Sequence, residues 1–211
     1  TVQGFDISSY QPSVNFAGAY SAGARFVIIK ATEGTSYTNP SFSSQYNGAT
    51  TATGNYFIRG GYHFAHPGET TGAAQADYFI AHGGGWSGDG ITLPGMLDLE
   101  SEGSNPACWG LSAASMVAWI KAFSDRYHAV TGRYPMLYTN PSWWSSCTGN
   151  SNAFVNTNPL VLANRYASAP GTIPGGWPYQ TIWQNSDAYA YGGSNNFING
   201  SIDNLKKLAT G

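Results

Sequence analysis

Two carboxylates close an apolar run in the segment Leu93-Pro94-Gly95-Met96-Leu97-Asp98-Leu99-Glu100. On a strand, successive side chains alternate between faces, so Asp98 and Glu100 share one face at its C-terminal end. Two acids held side by side do not ionise independently, because each charge raises the proton affinity of the other. Hydrolytic acid–base chemistry uses such a pair when one group must stay protonated near neutral pH. The chain has only 11 acidic residues, so a pair at the mouth of a buried strand is poorly explained as solubilising charge. A metal site and a structural ion pair are the competing readings of the same two residues.

The elements that must position this pair alternate between strand and helix patterns. Residues 2–7 are predicted as a strand, followed by a turn at Pro12 and a short helix to Ala22. Residues 25–30 form a continuous apolar run of the kind found in buried parallel strands. Residues 40–53 have a helical pattern with Pro40 in the first turn, and 58–64 is the next strand. Thr70 or Thr71 caps a helix through Ala81 that Gly83-Gly84-Gly85 ends. Ser112 caps the longest helix, running to about Val130, with Met116, Trp119, Ile120, Phe123 and Tyr127 on one face. Short strands are predicted at 135–138, 160–163 and 180–183, and a last helix at 202–209.

This alternation predicts a parallel α/β fold forming one domain over residues 1–211. Several strands end in residues able to do chemistry: Asp6, Lys30, Tyr62 with His63, Asp98 with Glu100, Tyr138, and Trp183 with Gln184. In a closed barrel all those ends meet on one face, where barrel active sites sit, so a TIM-like α/β barrel is favoured over an open sheet. Long helices are missing between the later strands, so the barrel is expected to be irregular.

Composition narrows the function. Charged residues make up 9% of the chain and the net charge is −2, whereas globular proteins average about 25% charged residues. Nucleic-acid binding, which needs a basic footprint, is disfavoured. No apolar run reaches the roughly 20 residues of a membrane span. A start at Thr1 suits a mature secreted protein whose signal peptide was removed. In such a chain Cys108 and Cys147 are expected to form one disulfide contributing about 3–4 kcal/mol. No cysteine or histidine spacing suggests zinc, and neither metal nor cofactor is expected. Aromatic residues reach 15%. The pair Trp143-Trp144, in a Pro/Ser/Gly-rich stretch, fits stacking on sugar faces better than core packing.

Six motifs occur in order: Gly4-Phe5-Asp6-Ile7-Ser8, Ile29-Lys30-Ala31-Thr32-Glu33-Gly34, Gly61-Tyr62-His63-Phe64, Leu97-Asp98-Leu99-Glu100, Leu137-Tyr138-Thr139 and Trp183-Gln184. This series spans essentially the whole chain and resembles the Chalaropsis-type lysozymes, glycoside hydrolase family twenty-five. The resemblance implies a flattened, irregular barrel. It also implies hydrolysis of the β-1,4 bond from N-acetylmuramic acid to N-acetylglucosamine in bacterial peptidoglycan, with O-acetylated glycan tolerated. The partner is then the glycan strand, and the enzyme is a secreted monomer that inserts into no membrane.

By the same resemblance Glu100 is the general acid. Asp98 orients the 2-acetamido group or stabilises charge at the anomeric carbon. Asp6 is a nucleophile, a water-activating base or an electrostatic partner of Glu100. Tyr62 and Tyr138 would hydrogen-bond substrate or carboxylates, and Trp183 and Gln184 would line the sugar site. The pattern departs from many relatives in two places. A late aspartate is missing near Ser194-Asn195-Asn196, leaving Asp203 as the remaining late candidate, and Val161 stands where relatives often have Trp.

Other polar residues are assigned lesser roles. Glu33 is expected to support the site by pairing with Lys30. His63 follows Tyr62 and so faces the other way, as a satisfied core histidine. His66, His82 and His128 are expected to be surface or structural residues without a partner constellation, and Glu102 a solvated loop residue. Asp187 is placed at the cleft rim, and Asn199-Gly200-Ser201 is the one glycosylation sequon. Two other functions compete: a lectin-like barrel that binds glycan without cleaving it, and a glycosidase directed at chitin. The stereochemical course stays open, because strand spacing puts the two Cα atoms about 6–7 Å apart without fixing the separation of the carboxyl groups.

Overall fold

The computed structural model describes residues 1–52, 54 and 57–211. The parallel strands are β1 (Val2–Ile7), β2 (Phe26–Glu33), β4 (Ile58–Phe64), β5 (Met96–Asp98), β6 (Met136–Thr139), β7 (Leu160–Ala163) and β8 (Ile182–Ser186). A two-residue strand, β3 (Tyr37–Thr38), lies antiparallel to β2 outside the ring, and β9 (Ser194–Ile198) runs antiparallel between β8 and β1. The order β1-β9-β8-β7-β6-β5-β4-β2 closes on itself through the pairing of β1 with β2. The result is the irregular α/β barrel that the motif order predicts. The seven parallel strands carry their C-terminal ends to one mouth.

The helices are α1 (Phe16–Ser21), α2 (Phe42–Thr51), α3 (Gly72–Phe79), α4 (Ala113–Thr131), α5 (Pro141–Thr148) and α6 (Ile202–Thr210). The caps expected at Thr71 and Ser112 are present: their hydroxyls accept from the backbone N–H of Ala74 and Ser115. Helix α3 runs on into a π-helical turn over Ile80–Gly84, where Gly83 adopts a φ of 107°. The expected end of α2 at Thr53 lies outside the described residues.

Helix α5 is a correction. Asn140 caps it by accepting from Trp143 N–H, Pro141 opens its first turn, and Gly149 closes it in the left-handed region. Both of its tryptophans pack into the core, and Trp143 also borders a cavity that it shares with Glu100, Ser101 and Asn140. Trp144 is fully buried against Phe154 and Trp177. Trp143 is 6% exposed and spends its indole N–H on the carbonyl of Ala107 at 2.9 Å.

Strand alternation sorts the apolar residues. Phe26, Ile28, Met96, Met136, Val161 and Ile182 point into the lumen, and Leu205 and Ala209 of α6 close it from below. Leu97, Leu99, Leu137 and Leu162 point outward against α3, α4 and α5. Phe5, Ile7, Val27 and Ile29 do the same against Phe16, Ala19 and Ala49. Val161 is therefore lumen packing, 1% exposed. A lumen floored with hydrocarbon confines water and polar chemistry to the mouth.

Candidate active site

Three carboxyl groups meet at that mouth. Asp6 ends β1, Asp98 ends β5, and Glu100 follows two residues later with the same facing; the Leu99 N–H still donates to the Tyr138 carbonyl at 2.9 Å, extending the ladder past Asp98. With Tyr62, Tyr138, Gln184, Ser194 and Arg165 they line a pocket of about 170 Å³. It opens past Asp6 toward Ser8 and Asp187, and past Glu100 toward Asn140, Ser142 and Asn164. The cavities share Asp6 on one side and Glu100 on the other, so a groove crosses the barrel mouth with the acids midway.

A relay of amides and hydroxyls fixes Asp6. Tyr138 Oη donates to Gln184 Oε1 at 2.6 Å, Gln184 Nε2 donates to Asp6 Oδ2 at 2.9 Å, and Asn196 Nδ2 donates to the same oxygen at 2.8 Å. Asn196 lies in the Ser194-Asn195-Asn196 stretch that holds no acid, and an amide there turns its donor toward Asp6. Gly193, at φ 72°, lets the β8–β9 hairpin lie close to β1; a Cβ there would fall 1.9 Å from the Asp6 carbonyl oxygen.

Electrostatics follow from burial and like charge. Burial, outweighing the bonds from Asn196 and Gln184 and helped by the Glu100 charge, pushes Asp6 up to about 6 from an ordinary 3.8. Asp98 is held well above the usual carboxylate range, first by burial, then by the Glu100 charge and a hydrogen bond with the Glu100 side chain, and then by the Asp6 charge. Among the described residues, Asp98 Oδ1 is buried with no hydrogen-bond partner. Burial likewise raises Tyr62 and Tyr138, which stay neutral donors.

A stability prediction follows from Asp6. Folded Asp6 holds its proton to about pH 6 but unfolded Asp6 releases it near 3.8. Between those values the native state binds more protons, so the unfolding free energy falls as pH rises. Urea midpoints across this window should decline for the wild type, and Asp6→Asn should decline less steeply. A variant with the wild-type slope would remove Asp6 as the cause.

The other expected residues divide. Lys30 Nζ donates to Glu33 Oε1 at 2.6 Å. Burial would raise Glu33, but the Lys30 bond and charge, then those of His66, leave it lowered. His63 is a satisfied core histidine: Thr32 Oγ1 stands 2.7 Å from Nδ1 and Gln75 Oε1 2.9 Å from Nε2, and burial brings it down to about 4. His66 does have a constellation, with Nε2 2.9 Å from Glu33 and 3.6 Å from Glu102, and Nδ1 bonded to Glu69. Glu102 is thus drawn into a network and raised, first by burial and then by the Glu33 charge. One atom each from Glu33, His66 and Glu102 lies within 4.8 Å of the others, a donor set that could hold a cation; Lys30 is already seated on Glu33.

Two expectations fail on geometry. Trp183 and Gln184 are adjacent on β8 and cannot both face the lumen. Gln184 takes the pocket, while Trp183 packs against Phe197 and donates to the Asn164 carbonyl at 2.9 Å. Asp203 is exposed in the first turn of α6, which follows β9 at the lower end of the barrel, away from the mouth.

Two residues enter the site that sequence reasoning passed over. Arg165 lies just beyond the end of β7 and joins the pocket wall. Trp109 donates its indole N–H to the Glu100 carbonyl at 3.0 Å. Beside it Cys108 is bonded to Cys147 of α5, so the disulfide anchors the loop that carries Glu100. Cys108→Ser with Cys147→Ser opens a bridge of 39-residue separation, and loop-closure entropy predicts a loss of about 3–4 kcal/mol in chemical denaturation. A loss under 1 kcal/mol would mean that the loop is held by Trp109 and Trp143 alone.

A closed α/β barrel that gathers three carboxyls in a polar groove has the parts that acid–base hydrolysis of a glycan requires. Comparison with known proteins agrees. The family model described as glycosyl hydrolases family 25 matches residues 5–194, and the chain belongs to that family. It is 64% identical to an N,O-diacetylmuramidase of Arthroderma benhamiae over all of this chain and 88% of that protein. It is 46% identical to Lysozyme M1 of Streptomyces globisporus over 99% of this chain and 71% of that protein. Among solved structures, a muramidase from Trichobolus zukalii superposes with a TM-score of 0.96 at 63% identity, covering 100% of this chain and 99% of that one. A family GH25 lysozyme from Aspergillus fumigatus gives 0.96 at 54% identity with the same coverage.

Proposed function

We propose that the chain is a muramidase that cuts the β-1,4 bond from N-acetylmuramic acid to N-acetylglucosamine in bacterial peptidoglycan, O-acetylated strands included. The observation that carries the reading is the buried Asp98 Oδ1, which has no hydrogen-bond partner among the described residues, beside Glu100 in a groove open at both ends. A buried acceptor calls for a donor, and the N–H of a 2-acetamido group is one. A through-groove suits a polymer crossing the acids, not a chain end entering a pocket.

In the proposed mechanism the acetamido N–H binds Asp98 and favours its charged form, leaving the proton of the carboxyl pair on Glu100. Glu100 gives that proton to the departing glycosidic oxygen. The acetamido oxygen attacks the anomeric carbon as the bond breaks, and Asp98 stabilises the positive charge on the resulting ring. Water then opens the ring, returning a proton to Glu100, with retention of configuration. Asp6, held by Gln184 and Asn196, orients water and the trio's charge.

The protein is further proposed to act outside the cell as a monomer and to bind glycan strands without entering a membrane. Among the described residues no helix is long and apolar enough to span one. Clearing of a bacterial cell-wall suspension tests the reading, with muramic acid expected at the new reducing end. Glucosamine at that end would move the cleaved bond, cleavage of chitin oligomers at a higher rate would change the substrate, and glycan binding without turnover would leave a lectin.

A further inference from the structure

Resting on the muramidase reading, the wall of the pocket bears on how one glycan is told from another. Chitin and the peptidoglycan strand share the β-1,4 linkage and the 2-acetamido group. They differ at the 3-oxygen of alternate sugars, where the muramyl residue carries a lactyl substituent with an acyl group. That acyl group is an amide where a peptide is attached and a carboxylate where it is not. A pocket lined by Asp6, Asp98 and Glu100 disfavours such an oxygen-rich, potentially anionic substituent unless a cation faces it.

Among the lining residues of the acid pocket, Arg165 is the one cation. It also borders the adjoining section of groove with Glu100, Tyr138, Asn140 and Asn164, so it stands where a substituent leaving the seated sugar would pass. The side chain is half exposed, and its Nη1 lies 3.6 Å from Asp187, beyond hydrogen-bond reach. Asp187 itself takes the Tyr166 hydroxyl. The guanidinium therefore has donors to spare, and its planar fork matches an acyl or carboxylate oxygen pair.

We propose that Arg165 is a specificity-determining residue that donates to the acyl oxygens of the 3-O-lactyl group on the sugar held over Asp98. The ligand class is a 3-O-carboxyalkyl amino sugar, free or amidated. Chitin, lacking the group, gains nothing from Arg165.

The test uses glycan strands freed of peptides, either with the lactyl carboxyl intact or with it reduced to the alcohol. For the wild type, kcat/KM should fall about ten- to hundredfold on reduction, mainly through KM, the range of a lost charge-assisted hydrogen bond. Arg165→Ala should cleave both strands at the same low rate, and Arg165→Lys should restore part of the preference. Arg165→Gln, closer in shape, serves if the alanine variant melts early. A variant that keeps the wild-type preference, or slows both strands by one common factor, overturns the assignment. A wild type inactive on both strands fails the muramidase reading itself, an outcome distinct from loss of preference.

Discussion

Glu100→Gln should abolish cell-wall clearing, with kcat reduced by about 10²–10⁴-fold, the range general acid catalysis supplies. Gln keeps the shape and polarity of the side chain but has no proton to give. Its backbone anchor, the Trp109 indole on the Glu100 carbonyl, is untouched, so substrate affinity should change little. A substrate with an aryl leaving group needs no protonation and should be cleaved with a much smaller loss. Equal losses on both substrates would reassign Glu100 from acid to a binding or structural role. The variant should also lower Asp6, because the Glu100 charge is one of the causes that raise it.

Asp98→Asn should cost about 10²–10³-fold in kcat, the scale of removing one preorganised electrostatic contact to a developing charge. Asn can still accept from the acetamido N–H, so KM should move little. What disappears is the negative charge opposite the cationic ring. Stability should move the other way. Folding favours the protonated form of Asp98, whose native value lies well above the unfolded one, so the wild type loses stability as pH rises through that range. A neutral Asn does not. At pH 7 the variant should melt no lower than wild type while its turnover collapses, the trade expected of a residue placed for chemistry. A variant that is both slow and clearly less stable would make Asp98 a structural carboxyl.

The parallel half of the barrel was legible because buried strands write themselves as short apolar runs, and because several ended in polar residues that only a closed mouth could gather. Period two carried Asp98 and Glu100 to the same face even though the regular strand stops at Asp98. The same rule, applied to Trp183-Gln184, would have sent the indole outward; an aromatic label next to a polar one drew both into the site. Helix α5 was signalled by Asn140-Pro141 and Gly149, but the intervening serines and tryptophans imitate a loop. Strand β9 could not be read, since Ser194-Asn195-Asn196 has weak strand propensity and owes its extended form to partners on both sides. Arg165 and the His66 network were hidden for another reason. Their partners lie in other loops, and pairing across loops leaves no local pattern.

Closure by β9 also sets when the site can exist. Asp6 is made well before its two amide donors, which lie 178 and 190 residues further on. Contacts of such long range form late, after the entropy of closing the intervening chain has been met. A chain whose β9 has not yet formed has an open ring, an unpaired edge on β1 and an Asp6 without its clamps. A glycan hydrolase built this way stays inert in time as well as in place: its site is complete only once β9 has closed the ring.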